Sequence, residues 1–130
     1  MNGIGFLAVG SGAVLGAWAR WLLSLWLNPL FATIPLGTLA ANWIGAYLMG
    51  LVMGVFSLVP ELSPQLRLLL GTGFLGGLTT FSSFSAETTS LLLRQEFSWA
   101  LLAVGLHVLG SLLLTGLGLL SVHGIKVLLG

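Results

Sequence analysis

Cysteine is absent from this chain. That excludes disulfides, thiolate chemistry and any cysteine-ligated metal. Charge is nearly absent too: four basic and three acidic side chains among 130 residues, or 5%. An ordinary soluble domain carries about 25% charged residues. Seven charges cannot solvate the surface of a 13.6 kDa globule. At 57% hydrophobic residues the chain cannot be intrinsically disordered. The net charge of +1 leaves no electrostatic footprint for nucleic acid. No acid–base pair or nucleophile constellation appears in any apolar stretch, so no enzymatic function is expected.

What is there is apolar length. The mean hydropathy is +1.11. One bilayer crossing takes roughly 20 apolar residues, so the chain holds about four crossings and little else. The expected spans are 4–27, 36–58, 65–94 and 99–122, in a single four-helix membrane domain over residues 1–130. Asn28-Pro29 and Pro35 punctuate the first connection, Pro60-Glu61-Leu62-Ser63-Pro64 the second and Gln95-Glu96-Phe97-Ser98 the third. Ala17-Trp18-Ala19 has the look of a signal-peptide cleavage site, but no basic residue precedes the apolar run. The first segment is therefore expected to be a retained helix. Trp18, Trp21, Trp26, Trp43 and Trp99 mostly suit the membrane interface.

Short loops make consecutive helices antiparallel neighbours and put both termini on one side. Arg67 and Lys126 then lie on the side of the termini, Arg20 and Arg94 towards the other. The positive-inside rule finds no excess to act on. A chain balanced in this way is a candidate for dual topology, and hence for an antiparallel homodimer that supplies an inverted pair from two copies. Glycines at four-residue spacing, Gly12/Gly16, Gly50/Gly54 and Gly73/Gly77, allow helix backbones to touch. Frequent glycine in membrane helices accounts for any one such pair equally well.

The third segment holds the oddest stretch, Gly71-Thr72-Gly73-Phe74-Leu75-Gly76-Gly77-Leu78-Thr79-Thr80-Phe81-Ser82-Ser83-Phe84-Ser85-Ala86-Glu87. Gly costs roughly 1 kcal/mol relative to Ala inside a helix, and Ser and Thr compete for backbone hydrogen bonds. This density predicts a helix break from Gly76-Gly77 to Thr80. Irregular backbone at membrane depth survives only when buried in protein or lining a cavity. Phe81 and Phe84 share one face, Ser82 and Ser85 another. Phe edges turned inward can solvate an anion without a full positive charge.

Segment two carries Thr38 and Asn42 on one face, and the Asn42 amide offers two donors suited to an anion or to interhelical hydrogen bonding. Segment four carries His107, Ser111 and Thr115 at i, i+4 and i+8, a continuous polar stripe that reads as a pathway wall or a helix seam. Arg20 either snorkels to the interface or sits at a pore mouth. Glu87, the only acid within a span, is expected to pair with a basic group or with backbone. His123 is expected at the interface.

These residues resemble the CrcB/Fluc family of small fluoride channels over nearly the whole chain. The resemblance rests on Gly12-x3-Gly16-x3-Arg20-Trp21, Pro35-x-Gly37-Thr38-Leu39-x2-Asn42-x2-Gly45, Gly76-Gly77-Leu78-Thr79-Thr80-Phe81-Ser82-Ser83-Phe84-Ser85-x-Glu87 and His107-x3-Ser111. It implies an all-α integral protein of the cell (inner) membrane. Each protomer has four transmembrane helices, the third broken mid-membrane, and two protomers form a dual-topology antiparallel homodimer with two fluoride pathways. It implies passive fluoride export that confers fluoride resistance. Phe81 and Phe84 would belong to a phenylalanine box, with Asn42 as a pore donor. His107, Ser111 and Thr115 would form the polar track, with His107 where a tyrosine is common. Ser83 stands where Thr is frequent, and Thr38, Ser82 and Ser83 complete the hydroxyls of the pathway. Arg20 would lie near the aqueous vestibule and Glu87 beside the pore. A structural sodium ion would be held by the backbone carbonyls of Gly76 and Thr79 from both protomers. The competing reading is a small multidrug-type proton-coupled exporter. That class needs a membrane carboxylate, typically in the first helix, and the first span here has none. A third reading is a non-transporting assembly subunit whose polar residues are only interhelical contacts.

Overall fold

The computed structural model describes residues 2–130. Helix α1 runs Gly3–Leu27, capped by the Asn2 side chain, which accepts from Gly5 N at 2.6 Å. A short 3-10 turn, Asn28–Leu30, follows. Helix α2 runs Leu36–Leu58. The third segment is composite: α3 (Pro64–Arg67), a π-helical stretch (Leu68–Leu75), α4 (Gly76–Leu78) and, after a break, α5 (Phe81–Leu93). Helix α6 spans Phe97–Leu129. Three helical stretches are long and apolar enough to cross a membrane: Gly3–Leu30, Leu36–Leu58 and Phe97–Leu129. The divided third segment makes the fourth hydrophobic unit.

Local chemistry sets the boundaries. Ser63 caps α3 by accepting from Leu66 N at 3.1 Å, with Pro64 in the first turn. Arg67 folds back over this loop, donating to Pro60 O at 3.0 Å and stacking on the Phe56 ring at 4.5 Å. Helix α5 ends with Gln95 N donating to Leu92 O and Glu96 N to Leu91 O. That is a Schellman pattern, with Gln95 at φ 60° where glycine is the usual occupant. Helix α6 continues past the expected end at residue 122 to Leu129. Gly124 alone does not stop a helix when good helix formers follow it.

Consecutive helices pack as neighbours, α1 on α2 and α5 on α6, but less extensively than alternate segments do. The most extensive packing pairs α2 with α6 and α1 with the π-helical stretch, which are alternate segments. Glycine is the reason. A Cβ at Gly12 would strike the Leu69 carbonyl, at Gly16 the Phe74 carbonyl and at Gly77 the Ala13 carbonyl. One glycine pair on each backbone therefore seats against the other. Gly50 and Gly118 do the same between α2 and α6.

Two small cores follow. Ala41, Leu75 and Leu78 are buried where α2 meets the third segment. Ile34, in the loop before α2, is buried against Leu91, Ala100 and Ala103. This tucks the α1–α2 connection over the α5–α6 end, where Phe31 also meets Trp99 at 5.6 Å. The remaining large apolar side chains of α1 and α6 are mostly exposed, as lipid-facing helices require.

Candidate functional site

The site is built around the break. The expected interruption from Gly76-Gly77 to Thr80 is found at its C-terminal end. Gly76 and Gly77 stay helical, and only Thr79 (φ −88°, ψ 154°) and Thr80 (φ −148°, ψ 117°) are extended. Packing explains the shift. The Gly76-Gly77 turn is pressed on α1, and Arg20 Nε donates to Gly77 O at 3.0 Å. The threonines replace lost helical bonds with their own hydroxyls. Thr79 Oγ1 donates to Leu75 O at 2.8 Å, and Thr80 Oγ1 caps α5 by accepting from Ser83 N at 3.1 Å. The π-helical stretch before the break carries no sequence signal beyond its glycines and was not anticipated.

Asn42 clamps the break from α2. Its Oδ1 accepts from Thr80 N at 2.7 Å, and its Nδ2 donates to Thr80 O at 3.1 Å. The same Nδ2 lies 3.1 Å from His107 Nδ1 on α6. The His107 ring is 5% exposed and packs on Phe84, with centroids 4.6 Å apart and planes at 33°. Phe84 meets Phe81 edge to face, with centroids 5.5 Å apart and planes at 70°. Three elements thus converge on one cavity of about 420 Å³. Asn42 and Gly45 line it from α2, Gly76, Thr79, Thr80, Phe81 and Phe84 from the third segment, and His107, Ser111 and Thr115 from α6.

Two carbonyls at this cavity lose the amide donor that an unbroken helix would give them. In an unbroken helix Thr80 N would bond Gly76 O, and here it bonds Asn42. Likewise Ser83 N would bond Thr79 O, and here it bonds Thr80 Oγ1. Gly76 and Thr79, whose carbonyls lose these helical donors, both line the cavity. Among the described residues no cluster of three or more His, Cys, Asp or Glu could hold a metal.

Residues 7–119 match the family described as "CrcB-like protein, Camphor Resistance (CrcB)". The chain belongs to this family. It is 59% identical to the "Fluoride-specific ion channel FluC" of Aromatoleum aromaticum, over 87% of this chain and 86% of that protein. It is 50% identical to the protein of the same name from Chromohalobacter salexigens, over 98% and 96%, and 56% identical to that of Pseudomonas putida, over 92% and 94%. CrcB-like membership with three apolar spans makes this a multi-pass membrane protein.

Not every residue singled out in this CrcB-like chain reaches the cavity. Thr38 is buried one turn before Asn42, where its Oγ1 donates to Glu87 Oε2 at 2.6 Å. Glu87 therefore pairs with a hydroxyl instead of the basic group or backbone expected. The ion pair seen among the described residues is the exposed Arg94–Glu96, at 3.4 Å. Ser82 and Ser83 gather round Thr80 Oγ1 at 3.3 and 3.2 Å, in the cap of α5. Thr115 lines the cavity but donates to Ala46 O at 3.0 Å, so this end of the stripe is a helix seam. Arg20 reaches inward to the break rather than snorkelling outward. His123 is exposed near the end of α6.

Sequence reasoning missed several supporting residues. Trp43 suits the interface by residue type, yet its Nε1 donates to Leu106 O at 2.8 Å, beside His107. Asn28, read only as loop punctuation, caps α2 from a distance, accepting from Gly37 N at 2.7 Å. Tyr47 bonds Ser121 at 2.9 Å. Only the Trp43 case left a signal, since a tryptophan one residue after a mid-span asparagine sits too deep for the interface.

Proposed function

We propose that this chain is a fluoride-selective passive channel of the cell (inner) membrane that lets fluoride leave down its electrochemical gradient. The observation that carries this reading is the edge-to-face pair Phe81–Phe84 on the wall of a cavity shared with Asn42, His107 and Ser111. Aromatic edges carry partial positive charge and no titratable group. Fluoride is small and strongly hydrated, so it enters a narrow pore only if donors replace its water. Several weak sites in series permit exit as well as entry. The pathway runs past Asn42, Phe81, Phe84, His107, Ser111 and Thr115. Thr38 and Glu87 bond each other behind this wall, Ser82 and Ser83 gather at the Thr80 cap, and Arg20 braces the break.

The functional unit we propose is an antiparallel, dual-topology homodimer with two pathways, each protomer a single four-helix membrane domain. Three features support it. Lys and Arg are balanced, two on each side. Phe81 is 76% exposed in the single chain although it lines the cavity. At the break, Gly76 O and Thr79 O lose the helical donors Thr80 N and Ser83 N. Neutral oxygen donors suit a hard cation such as sodium. Two donors are too few to replace its hydration shell, and a second copy doubles the set. Bound there, sodium would supply a fixed positive charge that raises the local potential for anions. A proton-coupled exporter would need a carboxylate at the cavity, and Glu87 is engaged elsewhere by Thr38.

The test is fluoride efflux from liposomes holding the purified protein, read by a fluoride electrode under a potassium gradient with valinomycin. Fast fluoride release with chloride retained, abolished by Phe81→Ile, is expected. Fluoride retained by vesicles that hold folded dimer overturns the reading.

A further inference from the structure

We propose that Trp43 is a positioning residue for the pathway: its indole, seated on Gly110, holds α6 in register against α2 at the level of the cavity. The inference rests on the channel reading above and goes beyond it, since neither Trp43 nor Gly110 is among the residues that line the cavity.

The attachment has two points. Consecutive residues of α2 reach consecutive residues of α6: Asn42 Nδ2 lies 3.1 Å from His107 Nδ1, and Trp43 Nε1 donates to Leu106 O at 2.8 Å. One bond between two helices leaves each free to slide and pivot about it. Two neighbouring bonds fix height and rotation together. The two points differ in kind. Asn42 also serves the backbone of Thr80, so its side chain answers to the break as well as to α6. Trp43 bonds α6 alone and bonds its backbone, so it places the helix rather than one side chain.

Gly110 makes this approach possible. A Cβ there would lie 2.6 Å from Trp43 Nε1 and 2.9 Å from Cε2 and Cζ2 of the same ring. These atoms belong to a rigid fused ring, which cannot fold aside as the end of a flexible chain can. A methyl group at 110 would therefore lift the indole off its acceptor. Leu106 O is the carbonyl that the α-helical pattern pairs with Gly110 N. Its second lone pair takes the indole. At bilayer depth a displaced indole N–H finds no water to replace that carbonyl. His107 and Ser111 line the cavity from this same stretch of α6, and His107 packs on Phe84. A shift of α6 moves these groups relative to Asn42 and Phe84 without altering any of them.

The experiment compares Trp43→Phe, which keeps an aromatic ring and loses the N–H, with Gly110→Ala. Gly116→Ala is the control, because a Cβ at Gly116 meets nothing within 4 Å. Two readouts are taken in liposomes: fluoride efflux, and the Nδ1 resonance of His107 by nitrogen solid-state NMR. The chain has two histidines, so every version carries His123→Gln. Trp43→Phe and Gly110→Ala are each expected to slow efflux by about fivefold or more, the scale of one lost hydrogen bond. Each is expected to move the Nδ1 resonance, while Gly116→Ala changes neither readout. The double variant is expected to be no slower than the slower single one, because both act on one contact. A wild-type value of either readout in folded Trp43→Phe overturns the inference and leaves the channel reading intact. Multiplied losses in the double variant overturn the role of Gly110 as the seat. If Gly110→Ala does not fold, Trp43→Phe decides alone. Fluoride retained by the starting protein instead overturns the channel reading, and the inference with it.

Discussion

Asn42 is one amide with four hydrogen-bonding positions, and the fold spends every one that the break needs. Its two bonds to Thr80 replace those that an unbroken helix would make for that residue's N–H and, in part, for its carbonyl. Asn42→Ala is expected to destabilise the protein by roughly 2 kcal/mol, from three lost bonds, two to Thr80 and one to His107, and one stranded N–H. Thermal unfolding in detergent would measure it. Asn42→Asp should rescue little, because a carboxylate accepts from Thr80 N but cannot donate to Thr80 O or to His107. At this scale the sequence was half legible. The spacing of Thr38 and Asn42, and of His107, Ser111 and Thr115, marked polar faces on apolar helices. Whether each polar group met a neighbour or a cavity was not written in the spacing. Thr115 ends on Ala46 O, Thr38 on Glu87 and His107 on Asn42, while Ser111 lines the cavity.

Among the elements, the third segment shows how much a helix depends on what packs beside it. Four glycines and a run of hydroxyls announced an interruption, but not its position. Propensity alone favours a break at Gly76-Gly77, and α1 overrides it by holding that turn helical through backbone contact and the Arg20 bond. Gly77→Ala should therefore be harmful even though Ala is the better helix former. Its Cβ would meet the Ala13 carbonyl, forcing α1 away from the third segment at a cost of about 2 kcal/mol or more. Gly124→Ala meets nothing within 4 Å and should be neutral or slightly stabilising. Comparing the two unfolding temperatures separates close packing from propensity. The pairing of alternate segments follows from the same contacts. Glycine spacing on a single helix says that a backbone can approach, not which partner approaches it.

The whole molecule is governed by what is scarce. With two positive side chains expected towards each side, the proposed dual topology should be tipped by small changes of charge. Glu61→Lys, in the exposed loop before α3, adds a positive charge and removes a negative one on the side of the termini. Reporter fusions at the C-terminus should then shift from a mixed to a single orientation. Fluoride efflux should fall with it if an antiparallel pair is the conducting unit. Unchanged efflux from a single-orientation population would argue for parallel or monomeric conduction. The single chain leaves Phe81 largely uncovered, and the proposed antiparallel partner would cover it.

Composition by itself determined that this is a helical membrane protein. A chain with seven charges and mean hydropathy of +1.11 must satisfy its backbone internally in a solvent that offers no hydrogen bonds. The Gly-Ser-Thr run determined that one helix would be interrupted, because it weakens helical bonding and supplies substitutes for it. Tertiary structure decided where the interruption falls, which segments pair and which polar groups remain free for an ion. Those outcomes depend on contacts between residues tens of positions apart, such as Arg20 with Gly77, Asn42 with Thr80 and Trp43 with Leu106. No local pattern records them, since each is settled only when helices that are separate in sequence come within reach.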